Sequence, residues 1–270
     1  MTQITWAEFP DGTRELQLPD PDYAVCQGIA WGRFDCVFTP AFWAHRFWLS
    51  GGGMRKIDHK LGNTLVEEIA ACLLGGFGIP AELGLAAYEK LKTAGVLEKS
   101  DQTEAGIYAI LRQPLEVKGQ KRRYRFAAQK ANYIDKALKR LQNECPPEDE
   151  IDFRSWLSAF DGIGPKTASW ITRNWRGSDR VAIIDVHIFR AGVMTGAFSP
   201  DASIDRDYVT LEERFIELAG GLGIAPSALD ALIWREMRSF GLVAIRAFED
   251  YVAEINSSEL RCDHLLQASH

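Results

Sequence analysis

Residues 161–170 read DGIGPKTASW. Two glycines bracket Ile163, Pro165 follows, and Lys166 stands where a helix is about to begin. A helix N-terminus carries partial positive charge and disfavours a cation, so the lysine asks for a reason. Upstream WLSAF (156–160) and downstream KTASWITRNW (166–175) carry helical apolar spacing, which makes DGIGP the turn of a helix–turn–helix unit. Gly162 and Gly164 would allow the positive φ of a tight turn and let a phosphate approach the backbone without a Cβ in the way. Free amides at the start of the second helix would face that phosphate, a contact that binds nucleic-acid backbone without reading sequence. An ordinary αα turn, with glycine as a simple helix stop, also fits a bare Gly-x-Gly. Apolar residues at 157, 160 and 163, followed by Thr167 and Ala168, fit the phosphate-binding form position by position.

Nineteen residues beyond Lys166, the apolar run RVAII ends in Asp185 and passes into VHIFRAG. The position suits a helix N-cap, and capping alone would account for the aspartate. The two residue types also share a chemical use. A reaction that builds positive charge on a carbon calls for both a nucleophile and a stabilising carboxylate. An amine attacks only when neutral, and a partly desolvated helix N-terminus disfavours the ammonium form. Asp185 would stabilise such a cation and help to position or deprotonate Lys166. Capping and catalysis are compatible, because helix amides fix the direction of the carboxylate.

The chain has 270 residues, 46% of them apolar and 11% aromatic, enough for one large core or two smaller ones. No window approaches the roughly 20 uninterrupted apolar residues of a membrane span, and MTQITWAEFPDG lacks the basic and apolar regions of a secretory signal. A cytoplasmic or otherwise intracellular protein is expected. Five cysteines, at 26, 36, 72, 145 and 262, include no CxxC pair, which speaks against zinc or an iron–sulfur cluster and for free thiols. The net charge of −6 disfavours indiscriminate nucleic-acid binding. Between Arg112 and Arg140, however, ten Lys or Arg meet two acids, a local +8 in a chain whose remainder carries −14. So polarised a molecule can dock a polyanion on one face.

Residues 1–55 mix β-prone runs, YAVCQGIAW and DCVFTP, with the aromatic stretch TPAFWAHRFWLSGGG, and predict a small N-terminal sheet closed by the triple glycine. From about residue 62 the period is helical. NTLVEEIAACLL is capped by Asn63 or Thr64 and stopped by Gly75 and Gly76, and PAELGLAAYEKLKTAGVL follows. Further helices are expected near 101–112, over 118–144 with basic residues crowding its first turns, on both sides of the 161–165 turn, at VHIFRAGVMTG, and at about 207–220 and 226–240. Residues 56–245 would form the main body and 246–270 a C-terminal helix and tail. The fold class is mainly α.

GIGPKTAS followed by VAIIDVHIFR resembles the helix-hairpin-helix DNA glycosylases. Within that superfamily it is most similar to the lysine-bearing branch of 8-oxoguanine DNA glycosylases and endonuclease III-like enzymes, where lysine and aspartate stand at this separation. The resemblance spans about 62–245 and is most specific over 153–195. It implies a two-lobed helical fold with the active site in the cleft between lobes, and it leaves residues 1–55 as a small N-terminal α/β or β addition outside the resemblance. It implies a monomer acting on double-stranded DNA that carries a damaged or modified base. Lys166 would attack C1′ and expel an oxidised purine, 8-oxoguanine, with Asp185 stabilising the sugar cation, and the resulting Schiff base would allow β-elimination. His187 would contact a DNA phosphate, although a lone helical histidine is more often packed or solvated. No metal or organic cofactor is expected, while hairpin carbonyls could hold a monovalent cation. The four-cysteine loop of endonuclease III is absent, since only Cys262 lies beyond residue 195.

Base-flipping enzymes sandwich the extruded base between planar groups. Trp170, one helical turn after Lys166, and Trp234 or Phe240 in LDALIWREMRSFG are the candidates, each with packing in a core as its alternative. Asp230, one turn before Trp234, would bond the polar edge of the base, unless it is a solvated surface acid. Arg123 and Arg125, interleaved with Tyr124, Phe126 and Tyr133, suit a DNA-facing surface, a solvated helix face being the alternative. Two rivals stand beside this reading: the same chemistry aimed at another base, and a non-catalytic DNA-binding module.

Overall fold

The computed structural model describes residues 1–52, 60–76, 78–98 and 102–267, with side chains to residue 257. The fold is mainly helical, with eleven helices and three two-stranded antiparallel sheets among the described residues. The chain divides into two compact units, one built from Met1–Ile57 and Val181–His270, the other from Asp58–Arg180. The boundary expected at residues 55–56 lies outside the described residues.

The first unit opens with β1 (Gln3–Phe9) and β2 (Gly12–Leu18), in register from Gln3↔Leu18 to Phe9↔Gly12. Sequence reading assigns no strand here, although Asp11-Gly12 is a hairpin turn signal and Gly12 takes φ 122°. The polar run on β2, which turns only Leu16 and Leu18 inward, obscures the alternation. The expected sheet at YAVCQGIAW forms as β3 (Ala24–Cys26) and β4 (Ile29–Ala30). DCVFTP is not a strand but a turn, in which Phe38 takes φ 69° and the Thr39 hydroxyl caps α1 (Pro40–Leu49) through the Phe42 amide. The aromatic stretch is therefore helical. Its Trp43 is fully buried and donates from Nε1 to Thr195 Oγ1 at 3.1 Å.

The second unit holds α2 (Leu65–Leu74), α3 (Ala81–Thr93), α4 (Glu104–Leu111), β5 (Leu115–Val117), β6 (Gln120–Arg122), α5 (Ala127–Asn143), α6 (Glu150–Ser158) and α7 (Pro165–Arg176). Thr64 is the cap of α2, accepting from the Glu67 amide. Residues 118–144 are not one helix. Lys118 (φ 51°) and Gly119 (φ 73°) form a two-residue turn that pairs Val117 with Gln120, and helix begins only at Ala127. Tyr124, expected on a DNA-facing surface, is buried and donates to Leu74 O at 2.5 Å. The core of this unit joins Leu73, Leu91, Leu111, Ile134, Leu157 and Ile171.

The chain then completes the first unit with α8 (Val186–Thr195), α9 (Ile204–Leu222), α10 (Pro226–Phe240) and α11 (Leu242–Gln267). Its core packs Phe42 and Trp43 from α1 against Ile188, Phe215, Leu229 and Met237. No single helix among the described residues is long and apolar enough to cross a membrane.

Candidate active site

The hairpin lies in the second unit. The amide of Phe160 bonds Leu157 O and that of Ile163 bonds Phe160 O, both at 3.0 Å, so the chain leaves α6 in two successive tight turns. Leu157, Phe160, Ile163 and Ala168 are buried, which ties both arms to the core. The two glycines act differently. Gly162 takes φ 86°, and a Cβ built on it would run into the Tyr133 ring of α5. Gly164 takes φ −85°, ψ 174°, a conformation open to any residue, and a Cβ there would meet nothing within 4 Å. The expectation of positive φ at both is thus corrected: only Gly162 needs it, whereas Gly164 leaves open space above the backbone.

Gly164 is the N-cap of α7 and no side chain caps that helix. Pro165 has no amide hydrogen, so the amides of Lys166 and Thr167 are the unclaimed donors of the first turn. Lys166 is exposed, Thr167 is half-exposed, and among the described residues no carboxylate pairs with Lys166. Trp170 is half-buried against the core, with the Arg173 guanidinium 5.6 Å from its ring centre. Arg123 and Arg125 are exposed, the latter 5.6 Å from the Phe126 ring centre.

Asp185 belongs to the first unit and is the N-cap of α8. Its Oδ1 accepts from the amides of His187 at 2.8 Å and Ile188 at 2.9 Å. The run RVAII before it forms neither helix nor strand and joins no sheet, contrary to its strand-like composition. Its buried amides are taken by side chains instead. Ala182 N donates to Glu212 Oε1 at 3.1 Å, Ile183 N to Asp230 Oδ2 at 3.4 Å and Ile184 N to Tyr208 Oη at 3.2 Å, while Tyr208 Oη donates to Ala182 O at 2.9 Å. Helices α9 and α10 thereby fix the segment that delivers Asp185. Sequence reading missed Tyr208 and Glu212. Their signal was a pair of polar groups four residues apart on the apolar stripe Tyr208, Leu211, Glu212, Phe215.

Asp230 is 4% exposed, so the surface-acid alternative is overturned by its burial against Ile183. Phe240 is half-buried and meets Phe38 edge-on at 5.9 Å, whereas Trp234 is 42% exposed with the Arg238 guanidinium 4.4 Å from its ring centre. His187 is half-exposed on the first turn of α8. Among the described residues no group of three or more His, Cys, Asp or Glu side chains is arranged to hold a metal ion.

The family model of 8-oxoguanine DNA glycosylase matches residues 54–224, well over half the chain. The chain belongs to this glycosylase family. The family match takes in the hairpin, Lys166 and Asp185, and stops short of Asp230, Trp234 and Phe240. An 8-oxoguanine DNA glycosylase/AP lyase of Thermoplasma acidophilum is 26% identical over 187 residues, 67% of this chain and 84% of that protein. The glycosylase fold agrees with the crystal structure of a Methanocaldococcus jannaschii 8-oxoguanine glycosylase/lyase in complex with a 15mer DNA containing 8-oxoguanine. That match has a TM-score of 0.52 at 21% identity and covers 72% of this chain and 95% of the other.

Proposed function

We propose that this glycosylase excises 8-oxoguanine from double-stranded DNA as a monomer and nicks the strand through a lysine Schiff base. The observation that carries the reading is an exposed lysine without a carboxylate partner among the described residues, in the first turn of an uncapped helix behind a glycine hairpin. The hairpin amides and the open face of Gly164 suit a DNA phosphate, with Thr167 and His187 as further phosphate contacts. Lys166 Nζ attacks C1′ of the damaged nucleotide as the N-glycosidic bond breaks and the base leaves with the bonding pair. Loss of a proton from nitrogen and opening of the sugar ring give the Schiff base, and removal of a C2′ proton expels the 3′ phosphate. Asp185, aimed by two helix amides, stabilises the positive sugar and accepts a proton. Trp234, exposed with the Arg238 guanidinium over its ring, suits a stacking partner for the flipped base better than the half-buried Trp170 and Phe240.

Borohydride reduction in the presence of duplexes carrying 8-oxoguanine, uracil, an abasic site or no lesion tests this reading. A covalent adduct with the 8-oxoguanine duplex that disappears in Lys166→Gln is expected. An adduct only at the abasic site would overturn the base assignment and keep the lyase chemistry, and no adduct anywhere would favour a non-catalytic module.

A further inference from the structure

The basic residues between Arg112 and Arg140 fall into two groups. Lys118, Lys136, Lys139 and Arg140 each meet a carboxylate, on Glu82, Asp161, Asp135 and Glu144 respectively, at 2.6–2.8 Å. Lys121, Arg122, Arg123 and Arg125 are all exposed, and among the described residues none of them has a carboxylate partner. Within this exposed cluster Arg122 bonds Gln120 Oε1 and Arg125 lies over the Phe126 ring, contacts that leave their charge unneutralised. Lys130 and Arg112 stand apart from the cluster, Lys130 donating to Gly75 O and Arg112 lying over the Tyr108 ring. Only the buried Tyr124 interrupts the four exposed cations.

Their support is rigid. The β5–β6 ladder is closed by the Lys118-Gly119 turn, Leu115 is buried at its base, Tyr124 is bonded to Leu74 O, and Lys118 reaches Glu82 on α3. Four unneutralised cations within five residues repel one another, in a chain whose acids outnumber its bases 37 to 31. An unbound surface gains nothing from this arrangement, whereas a polyanion would relieve it. The second unit also carries the more positive share of the charge, 19 Lys and Arg against 17 Asp and Glu, while the first carries 12 against 20.

We propose that the β5–β6 hairpin and residues 123–125 form a wing that holds the phosphodiester backbone of duplex DNA flanking the hairpin 161–165, independently of base sequence. The inference rests on the reading of the chain as a DNA enzyme and adds a second contact to it. Tyr133, against which Gly162 packs, is seven residues along α5 from Phe126 at the foot of the wing. At about 1.5 Å per residue the two are about 10 Å apart along the helix. That is the axial rise of roughly three nucleotides of one strand, so a strand held by the hairpin amides has its neighbouring phosphates in reach of the wing.

The test is the salt dependence of binding to an undamaged duplex, measured for the wild-type chain and for Lys121→Gln/Arg122→Gln/Arg123→Gln. Each phosphate contact contributes about 0.9 to the slope of log K against log salt, so the triple variant should lose about 2–3 in slope and at least roughly tenfold in affinity at low salt. Lys121→Arg/Arg122→Lys/Arg123→Lys should keep both. A control that removes the same charge from the first unit, Arg14→Gln/Arg33→Gln/Arg206→Gln, should leave the slope in place. An unchanged slope in the wing variant, or an equal loss in the control, would overturn the wing. Because the duplex carries no lesion, this outcome is independent of borohydride trapping: a chain that traps no lesion yet shows the wing-specific slope loses its proposed substrate and keeps the wing.

Discussion

Gly162 and Gly164 stand two residues apart and answer to different constraints. The first is fixed by backbone conformation and by the Tyr133 ring, so its replacement strains the fold. Gly162→Ala should destabilise the protein by about 1–3 kcal/mol, the usual cost of a side chain at positive φ, with the clash adding to it. Gly164→Ala meets neither obstacle and should leave thermal unfolding within about 0.5 kcal/mol of wild type while weakening DNA binding, since its methyl group would occupy the space open to a phosphate. Denaturant titration and duplex binding of the two variants separate these effects. Loss of stability in Gly164→Ala comparable to that in Gly162→Ala would contradict the assignment. The pattern Gly-x-Gly was legible in the sequence, but the difference between its glycines was not, because a glycine demanded by φ and one with open space beside an ordinary φ read as the same letter.

At the scale of elements, the segment 181–185 shows how a site is aimed without a sheet. Its amides are claimed by Glu212, Asp230 and Tyr208, and α8 then takes hold of Asp185 through its first-turn amides. Tyr208→Phe removes the acceptor of the buried Ile184 amide and should cost about 1–3 kcal/mol of stability. It should also lower the single-turnover excision rate with little change in DNA affinity, because the phenol is buried and bonds the segment that leads into Asp185. A stability loss with an unchanged excision rate would confine Tyr208 to packing. The burial of the segment was legible from the apolar run VAII. Its lack of a partner strand was not, since the partners are side chains from residues 24–47 positions later. The basic segment after Arg112 failed differently: long basic and aromatic residues have helical as well as β-hairpin uses, and the turn rests on Lys118 accepting positive φ.

Across the whole molecule, each unit has its own apolar core, and charge is shared unequally between them. Acid should weaken the second unit through Glu67. Glu67 accepts from the Asn63 amide, then from Lys92 Nζ and Tyr88 Oη, and these contacts hold its carboxyl below the usual carboxylate range. A group whose folded pKa is lowered contributes stability that is complete above its unfolded pKa, near 4.5, and is lost as pH falls through the folded value. The apparent Tm should therefore drop as pH falls below about 4.5. Glu67→Gln should lower it by a few degrees at pH 7, a deficit that shrinks as pH falls below about 4.5. Equal Tm values at pH 7 would remove Glu67 from this account.

The sequence by itself determined the helical class, the hairpin with its lysine, and the aspartate at a helix start, because each is a short-range pattern: periodicity of 3.6, glycine and proline at a turn, a carboxylate before an apolar helix. Only the tertiary structure decided that Trp43 and the aromatic stretch around it complete the core formed by residues beyond 181, and that Asp230 is buried against Ile183. It also left Trp234 exposed while drawing Trp170 and Phe240 toward the cores. The physical reason is that burial of an aromatic ring or a carboxylate depends on which distant elements pack over it, and no local spacing carries that information.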